Sequence, residues 1–144
     1  MSDQKLRAHY LELADSVHLE PQTIVHPQTT VSPSAVIGTG CYIAPGCRIS
    51  TQTTIGDHSI LNLNITLGHN TTSGGHLTVN PGAAISGNVT LGNRVLVGAN
   101  AFVGQGLTIG DDCQIDAMAY VGRDLPPSTL CTSRQFRTVP RLDY

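Results

Sequence analysis

Every sixth residue from Val25 to Val121 is aliphatic, with one exception. The series runs Val25, Val31, Ile37, Ile43, Ile49, Ile55, Leu61, Leu67, Ser73, Val79, Ile85, Leu91, Val97, Val103, Ile109, Ile115, Val121. Sixteen of these seventeen positions are Val, Ile or Leu, and no insertion breaks the phase. In a chain that is 40% hydrophobic overall, chance does not produce such a run. A fixed short period is the mark of a repeat architecture.

The residue after each position of this series is nearly always small or turn-forming: Gly at 38, 56, 68, 74, 92, 98, 104, 110 and 122, with Ser32, Ala44, Ser50 and Ser86 elsewhere. A position where the chain bends, and where a Cβ would crowd, selects such residues. Two residues before each aliphatic lies a second set that includes Thr23, Cys41, Cys47, Thr53, Leu77, Val89, Cys113 and Ala119. Residues two apart on a strand point to one side, so both sets face inward. Each hexad therefore reads as a short strand and a bend. Pro27, Pro45 and Pro81 share one phase at separations of 18 and 36 residues. Three hexads per coil put them in one column, with residues 18 apart about 4.8 Å from each other along the axis. The expected fold is an all-β solenoid, a parallel β-helix of triangular section. Ser73 is either a distorted coil or a polar substitution bonded to Thr or to backbone.

Gly, Thr, Ser and Asn are frequent, aromatic residues make up 4%, and Trp is absent. The core must be thin and filled by Val, Ile, Leu, Ala and Cys. Three of the four cysteines fall in the inward set and none forms a CxxC, so they read as reduced core thiols. A formal net charge of −2 argues against nucleic acid as a partner. The N-terminal stretch lacks the apolar core of a signal peptide, and no run is long enough to span a membrane. A cytoplasmic protein without membrane insertion is expected.

Residues 1–20 carry Leu6, Tyr10, Leu13 and Val17, one stripe of an amphipathic helix. That helix is expected to cap the open end of the solenoid, whose edge strands need cover; a partner-binding helix is the alternative. The β-helix is expected over 21–124. The proline-containing tail, 125–144, is expected to leave the prism and pack along its side or on a neighbouring subunit.

A coil interior is too narrow for a ligand, so chemistry must lie outside. Stacking by 18 residues places His69 in a column with Thr51, Gly87 and Gln105, and His58 in a column with His76, Arg94 and Asp112. An imidazole on an exposed edge is either a general base or a solvated surface group. No third ligand accompanies His58 and His76, so no metal is expected.

The unbroken hexad resembles the hexapeptide-repeat, left-handed β-helix family, and the left hand follows from the resemblance alone. Within it, GHNTTSGGHLTVNPGAAISGNVTLGN, 68–93, is similar to the bacterial sugar O-acyltransferases of the sialic-acid O-acetyltransferase type, which include the nucleotide-aminosugar N-acetyltransferases. His69, the Val79–Ala83 V-x-P-G-A step and the Ser86–Gly92 turn match that pattern in order and spacing. The resemblance implies acetyl transfer from acetyl-CoA to a hydroxyl or amine of a sugar, in a homotrimer with sites between neighbouring prisms. It implies His69 as the general base, Asn70 as its possible orienter, and the Gly87 N–H as donor to the oxyanion. An imidazole accepts a proton at neutral pH, and a fixed backbone donor stabilises a tetrahedral intermediate.

The sequence departs from the family in three places. Asn70 stands where an acidic residue is common. Thr78 stands where many relatives carry a second histidine. The tail from Val121 to Arg137 resembles the family's ending beside coenzyme A but lacks its G-x-P-A. Arg134, Arg137, Gly87 and Gly106 are the candidate cofactor contacts, and His58, His76 and Thr78 the candidate substrate contacts. A non-catalytic assembly module and a metal-dependent lyase of the carbonic anhydrase type remain as other readings.

Overall fold

The computed structural model describes residues 4–133. Among them are one helix, Gln4–Ser16, and eighteen strands of two residues each, from Ile24–Val25 to Leu130–Cys131. The strands form three sheets of seven, six and five members, the faces of a triangular prism of about six coils. The first face stacks the rows that begin at Ile24, Tyr42, Ile60, Thr78, Leu96, Gln114 and Leu130. The second stacks those at Thr30, Arg48, Thr66, Ala84, Phe102 and Tyr120, and the third those at Val36, Thr54, Thr72, Thr90 and Thr108. Pairing is parallel, with Cα partners such as Thr66 and Ala84, or Thr90 and Thr108. The 18-residue stacking expected from the prolines is the observed register.

The aliphatic column fills the axis: Ile43, Leu61, Val79, Val97 and Ile115 have no exposed surface. The inward set two residues earlier does more than fill space. Thr29 Oγ1 donates to the Ala44 carbonyl, Cys47 Sγ to Asn62, Thr53 Oγ1 to Gly68 and Thr71 Oγ1 to Ser86, each 15 residues on. Small donors are tolerated in this core because each lies against a corner carbonyl with a lone pair to spare. The cysteines are free thiols, and burial pushes those of Cys41 and Cys47 up.

Two different residues make each corner. Every sixth residue from Gly40 to Met118 has a positive φ, between 54° and 76°. That position lies three residues after the aliphatic, and it holds Asn64, Asn70, Asn88 and Asn100 as well as four glycines. Asn adopts this conformation more readily than other side chains. The glycine directly after the aliphatic serves a close approach instead. A Cβ on Gly98 would stand 2.3 Å from the Ala117 nitrogen.

Ser73 shows both expected features: the Gly56 N–H donates to its Oγ at 3.2 Å, where the equivalent N–H of other coils donates to a backbone carbonyl, and only Thr54 and Thr72 pair between these two strands.

Both ends differ from expectation. The helix lies along the side of the prism. Arg7, 9% exposed, donates to Thr78 Oγ1 at 2.7 Å and to the His58 carbonyl oxygen. These groups lie on the first face and on the corner before it, well inside the stack. Arg7, Leu11 and Ala14 face the prism, whereas the stripe Leu6, Tyr10, Leu13 and Val17 is 39–58% exposed. The physical reason is the guanidinium: it is satisfied by acceptors on the flank, and docking it turns the apolar stripe outward. Val25 of the first coil stays 38% exposed.

At the other end the prism continues past residue 124. Ile109 bridges Leu125, and Gln114 pairs with Leu130, a step of 16 residues. Dropping two residues brings Leu125 into the core at 8% exposure and adds Leu130–Cys131 to the first face. No helix among the described residues is long and apolar enough to cross a membrane.

Candidate active site

His69 lies on the corner that follows the second face, directly after the strand Thr66–Leu67. The corner is tight because Gly68 lets it be: a Cβ there would be 2.4 Å from the Gly87 nitrogen in the next coil. His69 is exposed, and its ring rests on Gly87. A Cβ at Gly87 would meet Nε2 at 2.5 Å and Cε1 at 2.7 Å. Gly87 is buried. The Asn88 N–H donates to the His69 carbonyl at 2.7 Å, and the Asn70 N–H donates to Thr51 at 2.9 Å. Backbone bonds to both neighbouring coils thus hold the corner.

The ring is oriented by its sequence neighbour. Asn70 has a φ of 57°, and its Oδ1 lies 2.9 Å from His69 Nδ1. Asn70 Nδ2 donates to Gln52 Oε1 at 2.6 Å. In this amide orientation Oδ1 can only accept, so Nδ1 carries the proton. The Nε2 lone pair is then available as a base. Gln52 was not singled out in the sequence. The 18-residue rule, applied to Asn70 instead of to His69, would have found it.

Beside His69 runs an open groove of about 330 Å³ along the second face, lined among others by Thr30, Arg48, Ser50, Thr66 and Gly68. On the far side, Gly106 stacks one coil beyond Asn88, with a φ of 75° and no atom within 4 Å of the place a Cβ would take. Its conformation accounts for the glycine and its surroundings leave room for a ligand.

The other candidates are not brought to His69 within one chain. His58 and His76 lie on the corner after the third face, their rings stacked at 5.3 Å. Both occupy positive-φ positions. Burial, the adjacent His58, Arg7 and Arg94 together hold the His76 imidazole below its ordinary range, against the opposing pull of Asp57. In the same column, Arg94 pairs with Asp112 at 2.6 Å. Thr78 is 2% exposed and accepts from Arg7, so here it is a docking contact for the helix. Arg134 and Arg137 lie outside the described residues. Among the described residues, no group of three or more His, Cys, Asp or Glu is placed to hold a metal ion.

Residues 88–123 match the family model described as the hexapeptide repeat of succinyl-transferase, and the same period extends through both flanks of that match. The chain carries the hexapeptide repeat that this model describes. A comparison with curated proteins finds no match. Among solved structures of the family, the chain is similar to PerB from Caulobacter crescentus, in complex with CoA and GDP-perosamine. The two share 33% identity at a TM-score of 0.86, over 90% of this chain and 63% of that one. It is also similar to the acetyltransferase domain of PglB from Neisseria gonorrhoeae in complex with acetyl coenzyme A, at 27% identity and a TM-score of 0.84, over 90% and 63% of the two chains. WeeI from Acinetobacter baumannii, at 20% identity and a TM-score of 0.87 over 90% and 64%, shares the fold. The chain thus spans less than two thirds of the length of these structures. The fold is the left-handed parallel β-helix of the family.

Proposed function

We propose that this chain transfers an acetyl group from acetyl-CoA to a hydroxyl or amine of a sugar. The observation that carries the reading is the His69 imidazole seated on Gly87, with Nδ1 bonded to Asn70 and Nε2, the nitrogen nearest Gly87, left as the acceptor. It is supported by the CoA and acetyl-CoA complexes of the two similar acetyltransferases.

In this reading Nε2 takes the proton from the acceptor's hydroxyl or amine as that atom attacks the thioester carbonyl carbon. The Gly87 N–H donates to the oxyanion, which requires the ring to turn partly off the glycine as substrate enters. Collapse breaks the C–S bond, and the imidazolium returns its proton to the departing thiolate. Asn70 holds the tautomer, and Gln52 holds Asn70. Gly87 and Gly106 flank the cofactor arm, with Arg134 and Arg137 on its phosphates. The assembly is a homotrimer. A neighbouring prism presents His58 and His76 to the His69 corner, which one chain alone does not do.

The test is calorimetric titration of acetyl-CoA into the protein, with mass from light scattering, followed by an acceptor screen that begins with GDP-perosamine and other nucleotide sugars. One site per subunit of a trimer, and transfer abolished in His69→Ala, is the expected result. No binding at millimolar acetyl-CoA would overturn the reading and leave an assembly module.

A further inference from the structure

We infer that Arg48 is the anion-binding group of the acceptor half of the His69 groove, so that the acceptor carries a phosphate or carboxylate close to the atom it presents to His69. The inference rests on the acetyltransferase reading for the word acceptor, and on the groove itself for the charge.

Arg48 projects from the second face, where its Cα partner is Thr66. Thr66 lies three residues before His69, so Arg48 stands one strand spacing, about 4.8 Å, from the strand that delivers the base. Both residues line one groove, and that lining holds no Asp or Glu. Thr30, Ser50 and Thr66 add hydroxyl groups around it, the donors and acceptors that a polyol ring would meet.

Two of the other three described arginines are committed. Arg7 is buried against Thr78 and His58, and Arg94 is paired with Asp112. Arg123 lies at the far end of the stack, beside Gly122 and Leu130. Arg48 makes no side-chain hydrogen bond or ion pair among the described residues. An exposed guanidinium at the rim of a cleft, with no acidic neighbour in the lining, presents its planar fork to an oxyanion with two parallel donors.

Direction along the stack decides which substrate this is. Gly87 and Gly106, the cofactor contacts of the proposed reaction, lie in coils after His69. Arg48 lies in the coil before it. An anion on Arg48 therefore belongs to the group that receives the acetyl, on the opposite side of the base from the thioester.

The experiment uses three probes on the full chain: glucose 1-phosphate, glucuronate and uncharged methyl glucoside. Backbone amide shifts of Ser50, Gly68 and His69 report the site, and acetyl-CoA binding is measured on the same samples. Variants are Arg48→Gln and, as a control for general positive charge, Arg123→Gln. The expected result is saturable binding of one or both anionic probes, weakened about tenfold in Arg48→Gln by loss of a charge-assisted pair and unchanged in Arg123→Gln. Methyl glucoside leaves those amides unmoved. Preference for the sugar phosphate identifies a phosphorylated or nucleotide-linked acceptor, and preference for glucuronate identifies an acidic sugar. Equal affinities in wild type and Arg48→Gln, or no shift with either anion at millimolar concentration, overturns the inference. Loss of anion binding in Arg48→Gln in a protein that binds no acetyl-CoA would overturn the transferase reading and leave the Arg48 site standing.

Discussion

The imidazole of His69 rests on Gly87, one coil further along the prism, so closely that a methyl group on Gly87 would stand 2.5 Å from Nε2. Only a residue without a side chain gives the ring this floor. Gly87 is not among the residues with positive φ, so its backbone conformation is open to alanine. Gly87→Ala is therefore expected to fold with a nearly unchanged thermal midpoint and to displace the ring. Acetyl transfer should fall steeply in steady-state assays. Full activity in that variant would show that the ring position is irrelevant to the chemistry.

Removal of the ring isolates the base. His69 is exposed, and exposed side chains outside special features contribute little to stability. His69→Ala should keep its stability within about 0.5 kcal/mol of the parent while kcat/KM drops by about 10² to 10⁴. The pair of measurements separates loss of the base from loss of the fold.

Asn70 offers a pH test. Its Oδ1 accepts from Nδ1 as a neutral group, 2.9 Å away. Asn70→Asp places a carboxylate at that atom, which favours the imidazolium. The base is then protonated up to a higher pH, and the acid limb of the kcat/KM profile should move to higher pH. Asn70→Ala should lower the rate and cost about 1 kcal/mol as well, because alanine is disfavoured at a φ of 57°. An unmoved acid limb in Asn70→Asp would argue that the two side chains do not share a proton-linked bond.

Arg7 is expected to hold the helix. Arg7→Met keeps much of the length of the side chain but removes the donors to Thr78 and to the His58 carbonyl. A hydrogen bond to a charged group is worth about 1.5 to 3 kcal/mol, and the buried Thr78 hydroxyl loses one partner. Hydrogen exchange of the amides in Gln4–Ser16 should speed up in the variant, with amides of the central coils unaffected. Uniform loss of protection throughout the prism would contradict a helix docked locally on its side.

His76 should make stability depend on pH. Its folded-state pKa lies below the ordinary imidazole value of 6.5, first through burial and then through the stacked His58. The unfolded chain therefore takes up the proton before the folded one does. The stability contributed by the neutral ring is complete above 6.5 and is lost as the pH falls through the folded value. Denaturant midpoints should decline across that window, and His76→Gln should flatten the decline. Gln is a reasonable replacement, since Gln52 already occupies an equivalent corner at a φ of 54°.

Much of the site was legible in the sequence because it follows from the repeat. The hexad places side chains inward or outward, and the 18-residue step places His69 over Gly87 with no knowledge of side-chain angles. The same periodicity kept Cys41, Cys47 and Cys113 in the core, where they lie. What escaped depends on contacts the repeat does not encode. The side chain of Asn70 could face the ring or the solvent, and in the fold it lies between the ring and Gln52, 2.6 Å from the latter. The two-residue slip before Leu125 leaves the period, so a search in phase ends at Val121.

The helix shows the division most plainly. Its sequence alone determined a helix within residues 1–20 with an apolar stripe at Leu6, Tyr10, Leu13 and Val17, since local spacing sets which residues share a side. Which side meets the prism was decided by tertiary structure. A guanidinium taken out of water needs acceptors, and the His58 carbonyl and Thr78 hydroxyl that serve Arg7 come from coils 51 and 71 residues away. Periodicity specifies a repeating backbone and the residues stacked on it, whereas the pairing of one charge with two distant oxygens exists only once the coils have formed.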